Sequence, residues 1–100
     1  LGTVWPAWTK AMYLLSDVNG AQDALWEMMA RRAVVLLPLD GADAPRMREL
    51  MRKYADRPMD FADAALVRVA ERDGLRRIFT VDDSDFAFYR LHGRLPFQIV

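Results

Sequence analysis

The 100-residue chain contains no cysteine, which excludes disulfides, thiol nucleophiles and zinc–thiolate sites. Histidine is scarce as well. His92 is the single one, and between Leu91 and Gly93 in a basic stretch it reads as a surface residue rather than a general base. A net charge is also lacking, since Lys plus Arg and Asp plus Glu both number 14. A purely electrostatic nucleic-acid binder is basic, so any contact with nucleic acid has to rest on local patches. No apolar run approaches the length of a membrane span, and the first residues lack a charged segment leading into an apolar one. No membrane association and a cytoplasmic location are the expectation. What remains is a globular composition, 53% hydrophobic and 11% aromatic, of a length that suits one domain with a modest core.

Periodicity divides the chain into alternating elements. Leu1–Trp5 reads as a brief strand, and Pro6 suits the first position of the helix that follows to Leu15. Ala7, Ala11, Leu14 and Leu15 share one face of that helix, and Trp8, Met12 and Tyr13 widen it, so burial on most sides is expected. Ser16–Gly20 is turn material. Ala21–Arg32 is an amphipathic helix with Ala21, Ala24, Leu25, Met28 and Met29 in its apolar stripe. Ala33–Leu39 is an unbroken apolar run, which predicts a strand covered on both faces, with Pro38 marking its end or an edge. After the acidic turn Asp40–Ala44, Pro45 opens a helix with Met47, Leu50, Met51 and Tyr54 inside and Arg46, Arg48, Glu49, Arg52 and Lys53 outside. A further helix starts at Asp60 and stops at Gly74. Arg76–Val81 is a strand, Phe86–Arg90 a short helical turn, Leu91–Arg94 a loop and Leu95–Val100 a last strand near an edge. The order β-α-α-β-α-α-β-β predicts an α/β sandwich with a largely parallel sheet flanked by helices.

Acidic residues gather at two places in this pattern. Asp60 and Asp63 open the fourth helix, and Asp82, Asp83 and Asp85 follow the third strand. If helix and strand pack side by side with those ends together, the carboxylates share one cleft. Like charges so placed repel, and a divalent cation stabilises them. The plainer account is also open. Asp60 and Asp63 then serve only as a helix cap and a first-turn acid, worth about 1 kcal/mol, and Asp83 belongs to a solvated turn. Arg76, Arg77, Arg90 and Arg94, with His92, are candidates for a phosphate-binding rim or for a solvated face. Ser16, Thr9 and Thr80 have no base nearby in sequence, so serine-type catalysis has no support.

The stretch MDFADAALVRVAERDGLRRIFTVDDSDF resembles the PIN-domain family, in particular the VapC-type toxins of bacterial toxin–antitoxin pairs. The resemblance rests on Asp63 opening a helix with Ala70 on the same face, and on a strand ending in Thr80-x-Asp82-x-x-Asp85-Phe86. It also rests on an upstream strand, Trp5-Pro6, and a helix in which Thr9-Lys10-Ala11-Met12-Tyr13-Leu14-Leu15 matches the pattern T-E-A-x-x-L-L. It implies a PIN-like sandwich over residues 1–100 and a Mg²⁺- or Mn²⁺-dependent endoribonuclease. Asp63, Asp82 and Asp85 would be the metal-ligating and catalytic carboxylates, with Asp60 and Lys10 as accessory residues. RNA as substrate, an antitoxin as protein partner and a homodimer come with the same resemblance.

Two departures accompany it. The central first strand of the family, with its catalytic Asp, has no counterpart here, so a gap in the middle of the sheet is expected, with the domain N-terminally incomplete or the strand supplied by another chain. Lys10 stands where the family carries a Glu ligand, and an ammonium has no lone pair to offer a metal. Lys10 can instead neutralise Asp63 or Asp82 directly. These departures support an alternative, a degenerate PIN fold kept as a binding or dimerisation module. A third reading is an unrelated small α/β protein in which every one of these acids is a cap.

Overall fold

The computed structural model describes residues 1–57 and 59–79, and the backbone at 90–91, 95–96 and 98–99. Its helices begin and end at chemically marked positions. Pro6 and Pro45 lie in the first turns of α1 (Trp5–Leu14) and α3 (Ala44–Lys53), where a missing N–H costs nothing. Gly20 precedes α2 (Ala21–Ala30). Asp60 caps α4 (Phe61–Asp73), and Gly74 ends it in a left-handed conformation, φ 69°, that a side chain would strain.

The strands are short. β1 (Gly2–Thr3), β2 (Val35–Leu36), β3 (Arg77–Ile78) and β6 (Gln98–Ile99) form a parallel sheet in the order β2-β1-β3-β6, while β4 (Arg90–Leu91) and β5 (Leu95–Pro96) pair antiparallel. The molecule is thus a mixed α/β fold with helices against a small parallel sheet, as the periodicity predicted. The expected gap in mid-sheet is not there. β1 lies directly beside β3, with Gly2 opposite Ile78 and the Phe79 N–H donating to the Gly2 carbonyl at 3.0 Å. Gly2 suits the crowding at this seam, since a Cβ there would meet Leu37 Cδ1 at 2.8 Å.

α4 is the centre of the core. Ala62, Ala64, Ala65, Leu66, Val67, Val69 and Ala70 are buried, and α1 and α3 pack against the helix. Small residues along α4 let both neighbours approach closely, and Leu50, Met47, Met59, Val4 and Ile78 complete this cluster. A second cluster holds Trp8 against Trp26 and Phe79, with Ala11, Leu25 and Val34 around it.

Several expectations about faces need correction. The run Ala33–Leu39 is not covered on both sides, because β2 is the sheet edge and Val35 is 47% exposed. α1 buries Ala7, Trp8 and Ala11 and packs Met12 and Leu15 against them, but leaves Tyr13 and Leu14, which lie off that face, exposed. Ala24 in α2 and Met51 in α3 face outward, while Arg46, read as outward, is largely covered. Arg90 and Leu91, expected in a helical turn and a loop, form a strand paired with Leu95 and Pro96. Of the described residues in the run Leu95–Val100, Gln98 and Ile99 join the parallel sheet at its edge and Leu95 and Pro96 pair with β4. Among the described residues no helix is long and apolar enough to cross a membrane.

Candidate carboxylate site at the start of α4

Connectivity decides where the acids of α4 lie. β1 runs straight into α1, so α1 begins at the carboxyl end of β1. α4 returns to β3 after only Gly74 to Arg76, so it runs antiparallel to that strand and begins at the strand's carboxyl end. β1 and β3 are parallel neighbours, and the starts of α1 and α4 therefore share one edge of the sheet. Open parallel α/β sheets bind their ligands at this edge.

Asp60 and Asp63 form a reciprocal cap there. The Asp63 N–H donates to Asp60 Oδ1 at 2.9 Å, and the Asp60 N–H donates to Asp63 Oδ2 at 3.3 Å. The local sequence Asp-x-x-Asp ahead of an apolar run is enough to produce this box. The structural reading of these acids as caps is therefore correct as far as it goes. Burial adds what capping alone does not explain, since the Asp63 side chain is 3% exposed and Asp60 47%.

Lys10 reaches this pair from α1. Its ammonium donates to Asp60 Oδ2 at 2.6 Å and stands 3.9 Å from Asp63 Oδ1. The residue expected to neutralise Asp63 directly does so at long range, and its short contact is with Asp60. Burial and the neighbouring Asp60 carboxylate push the Asp63 carboxyl up to about 7, against the Lys10 charge. At Asp60 burial also works upward. The hydrogen bonds from Lys10 and the Asp63 N–H outweigh it and hold that carboxyl below its ordinary value.

Beside the pair, Trp5, Pro6, Thr9, Phe61 and Ala62 line a shallow hollow of about 400 Å³, with Trp5 and Phe61 each about half exposed. Sequence reasoning missed this aromatic rim. Its signal was Trp5 and Phe61 standing at the first turns of two helices, where side chains face out past the sheet edge.

A second charged centre, also missed, lies further along α4. Asp43, 1% exposed, accepts from Arg68 Nε at 2.7 Å and from Arg72 Nη1 at 3.1 and 3.2 Å, and its carboxyl is held low by the Asp40 N–H and by Arg68. Glu71, 9% exposed, takes a two-pronged contact from Arg46, Nε and Nη2 both at 2.8 Å. Arg68 and Arg72 are one helical turn apart, so their spacing was the available clue.

Of the other candidate residues, Asp82, Asp83, Asp85, Thr80, Phe86, His92 and Arg94 lie outside the described residues. Arg76 and Arg77 are exposed at the start of β3, which puts them at the far end of α4 from Asp60, about 20 Å along a 13-residue helix. Arg90 is placed in β4, which packs on α4.

The donor chemistry of the pair is oxygen only, which fits a hard cation such as Mg²⁺ or Mn²⁺. Two carboxylates are too few by themselves, and among the described residues no group of three or more His, Cys, Asp or Glu is placed to hold a metal. A scan of protein-family models gives no match to the chain, and a search of curated proteins gives none either.

Proposed function

We propose that the chain is a PIN-like sandwich of the VapC toxin type, acting on RNA as a metal-dependent endoribonuclease in the cytoplasm. The observation that carries this reading is the meeting of Asp60 and Asp63 with α1 at the carboxyl edge of β1 and β3. The third strand runs toward that edge, and the sequence continues from it to Asp82 and Asp85. A bound Mg²⁺ or Mn²⁺ would be held by Asp63 with Asp82 and Asp85, and would supply an activated water and charge stabilisation on the phosphate being cut.

The chain's own residues have separate tasks in this reading. Asp60 fixes the first turn of α4, which sets the direction of the Asp63 carboxylate. Burial keeps the Asp63 carboxyl near neutrality, so that it gains and loses its charge in the physiological range. The Trp5–Phe61 hollow offers an apolar surface beside the acids on which an unpaired base can rest. Tyr13, Leu14, Val18 and Trp26, all half exposed or more, supply apolar surface for an antitoxin or a second copy of the chain.

One observation favours a second reading, a degenerate PIN fold that binds without cleaving. The 2.6 Å contact from Lys10 gives Asp60 a cation of its own. Incubating the chain with a panel of end-labelled structured RNAs and Mn²⁺ separates the two. The ribonuclease reading predicts cleavage by the wild type that disappears in Asp63→Asn. Absence of cleavage by a folded wild type at every metal concentration tried would leave the binding module.

A further inference from the structure

The chain as a whole carries no net charge, so electrostatic binding has to rest on a local excess, and α3 holds one. Its sequence includes Arg46, Arg48, Arg52 and Lys53 against a single acid, Glu49. Arg46 is spent, since it holds Glu71 through Nε and Nη2 and Glu49 through Nη1 at 2.6 Å. Arg48 and Arg52 are different. Both are exposed, and neither guanidinium makes a hydrogen bond or ion pair among the described residues. They stand one turn apart on one face of α3, lining a groove of about 650 Å³ with Gly41, Ala44, Pro45 and the already neutralised Glu49. We infer that this outer face of α3 holds the phosphate backbone of single-stranded RNA, with Arg48 and Arg52 as its phosphate contacts. The inference rests on RNA as the substrate in the reading above, and on none of its metal chemistry.

The chemistry of the groove selects this occupant. Its free donors are guanidinium groups, whose planar forks match phosphate oxygens. Helical spacing sets them about 5–6 Å apart at Cβ, in a row along the helix that suits a chain of phosphates. A protein partner is served less well, because the rest of the lining is small and offers no aromatic or long aliphatic anchor. The course of the helix adds a direction. Arg46 near the start of α3 meets Glu71 near the end of α4, so the two helices run antiparallel and α3 ends beside the start of α4. Lys53, the last residue of α3, lies over the Tyr54 ring at 5.4 Å from its centroid. The cationic row therefore leads toward the end of α4 at which Trp5 and Phe61 line their hollow. A positive groove followed by an aromatic surface is the combination that holds single strands, the one taking phosphates and the other bases.

The test is fluorescence anisotropy of the full chain with a labelled single-stranded RNA, in buffer containing a chelator and at several salt concentrations. The Arg48→Gln, Arg52→Gln double variant should bind about tenfold more weakly than wild type at low salt. Two lost phosphate contacts should also lower the slope of log affinity against log salt by about 1.4. Should that variant not fold, Arg52→Gln alone should lower the slope by about 0.7. The Arg48→Lys, Arg52→Lys variant keeps both charges and should keep the wild-type slope, and a lowered slope there would overturn the inference. Arg31→Gln, Arg32→Gln removes two exposed charges at the end of α2 and should bind as wild type does. Equal weakening by the α2 and α3 pairs would overturn the inference, because net charge alone would then explain binding. Binding that survives the α3 glutamine variants with its slope intact would overturn it too, while the RNA reading stands. Salt-dependent binding through α3 without any cleavage in Mn²⁺ would remove the nuclease reading and keep this face. A folded wild type that binds no RNA would remove both, leaving the row to an acidic protein.

Discussion

The chain contains the same four-residue device twice. Asp40-Gly41-Ala42-Asp43 and Asp60-Phe61-Ala62-Asp63 both fold into reciprocal capping boxes, and in both the second aspartate is buried. Their electrostatics are opposite. Asp43 faces two arginines, and the Asp40 N–H and Arg68 hold its carboxyl low. Burial and the carboxylate of its own cap residue push the Asp63 carboxyl up to about 7, against the charge of a lysine 3.9 Å away. Local sequence dictates the box, whereas the surrounding helices dictate its charge state. A buried acid whose neighbours satisfy it is structural. One left near neutrality, at the ligand-binding edge of a parallel sheet, is the better candidate for chemistry.

Substituting the buried aspartate of each box should separate them most sharply. Asp43→Asn removes the carboxylate that faces Arg68 and one of the two that Arg72 contacts, and is expected to cost about 2 kcal/mol by chemical denaturation, moderated because both arginines keep about a quarter of their exposure and Arg72 retains Asp73. Asp63→Asn keeps the cap and removes a carboxylate that its site disfavours, so its cost at pH 7 should stay within about 0.5 kcal/mol of zero. Equal losses would erase the distinction between the boxes.

The pH profile of stability sharpens the same contrast. Folded Asp63 holds its proton to about 7, whereas an ordinary carboxyl releases it near 3.8, so the folded chain binds the extra proton in that window. Stability contributed by Asp63 therefore falls as pH rises from about 4 to about 7, by about 1.5 kcal/mol after solvent screening. Asp43 has the opposite sign, and its contribution is present above 3.8 and lost as pH falls through its lowered value. Melting temperatures measured from pH 4 to 8 should show a decline in wild type that Asp63→Asn removes. A smaller effect belongs to Asp60→Ala, which loses a cap worth about 1 kcal/mol and removes the carboxylate that, after burial, raises Asp63. Its pH profile should be flatter than that of wild type.

Much of this fold was legible because its signals are local. Pro6, Pro45, Asp60 and Gly74 mark helix ends by backbone chemistry that holds in any surroundings. The capping role of Asp60 followed from residue type and helix placement, whereas the pairing of Lys10 with an acid was expected from the family resemblance, at Asp63 or Asp82, and its short contact falls on Asp60 instead. Side-chain exposure was read less well, because it depends on where an element sits in the sheet. Val35 has the hydrophobicity of a covered strand and lies on an edge, and Leu14 stands half exposed beside the buried face of α1 that Met12 and Leu15 continue. The Asp43–Arg68–Arg72 and Arg46–Glu71 contacts join residues 25 to 29 positions apart, and no local pattern records a pairing of that range. The direct pairing of β1 with β3 was hidden for the same reason.

The most direct test is an NMR titration of the aspartate carboxyl carbons across pH 2 to 9, with Asp63 and Asp43 assigned by substitution. The account predicts an Asp63 midpoint near 7, and an Asp43 midpoint below 3.8. An Asp63 midpoint at or below the ordinary carboxylate value would contradict it, because the two boxes would then be electrostatically alike and Asp63 only a second structural cap.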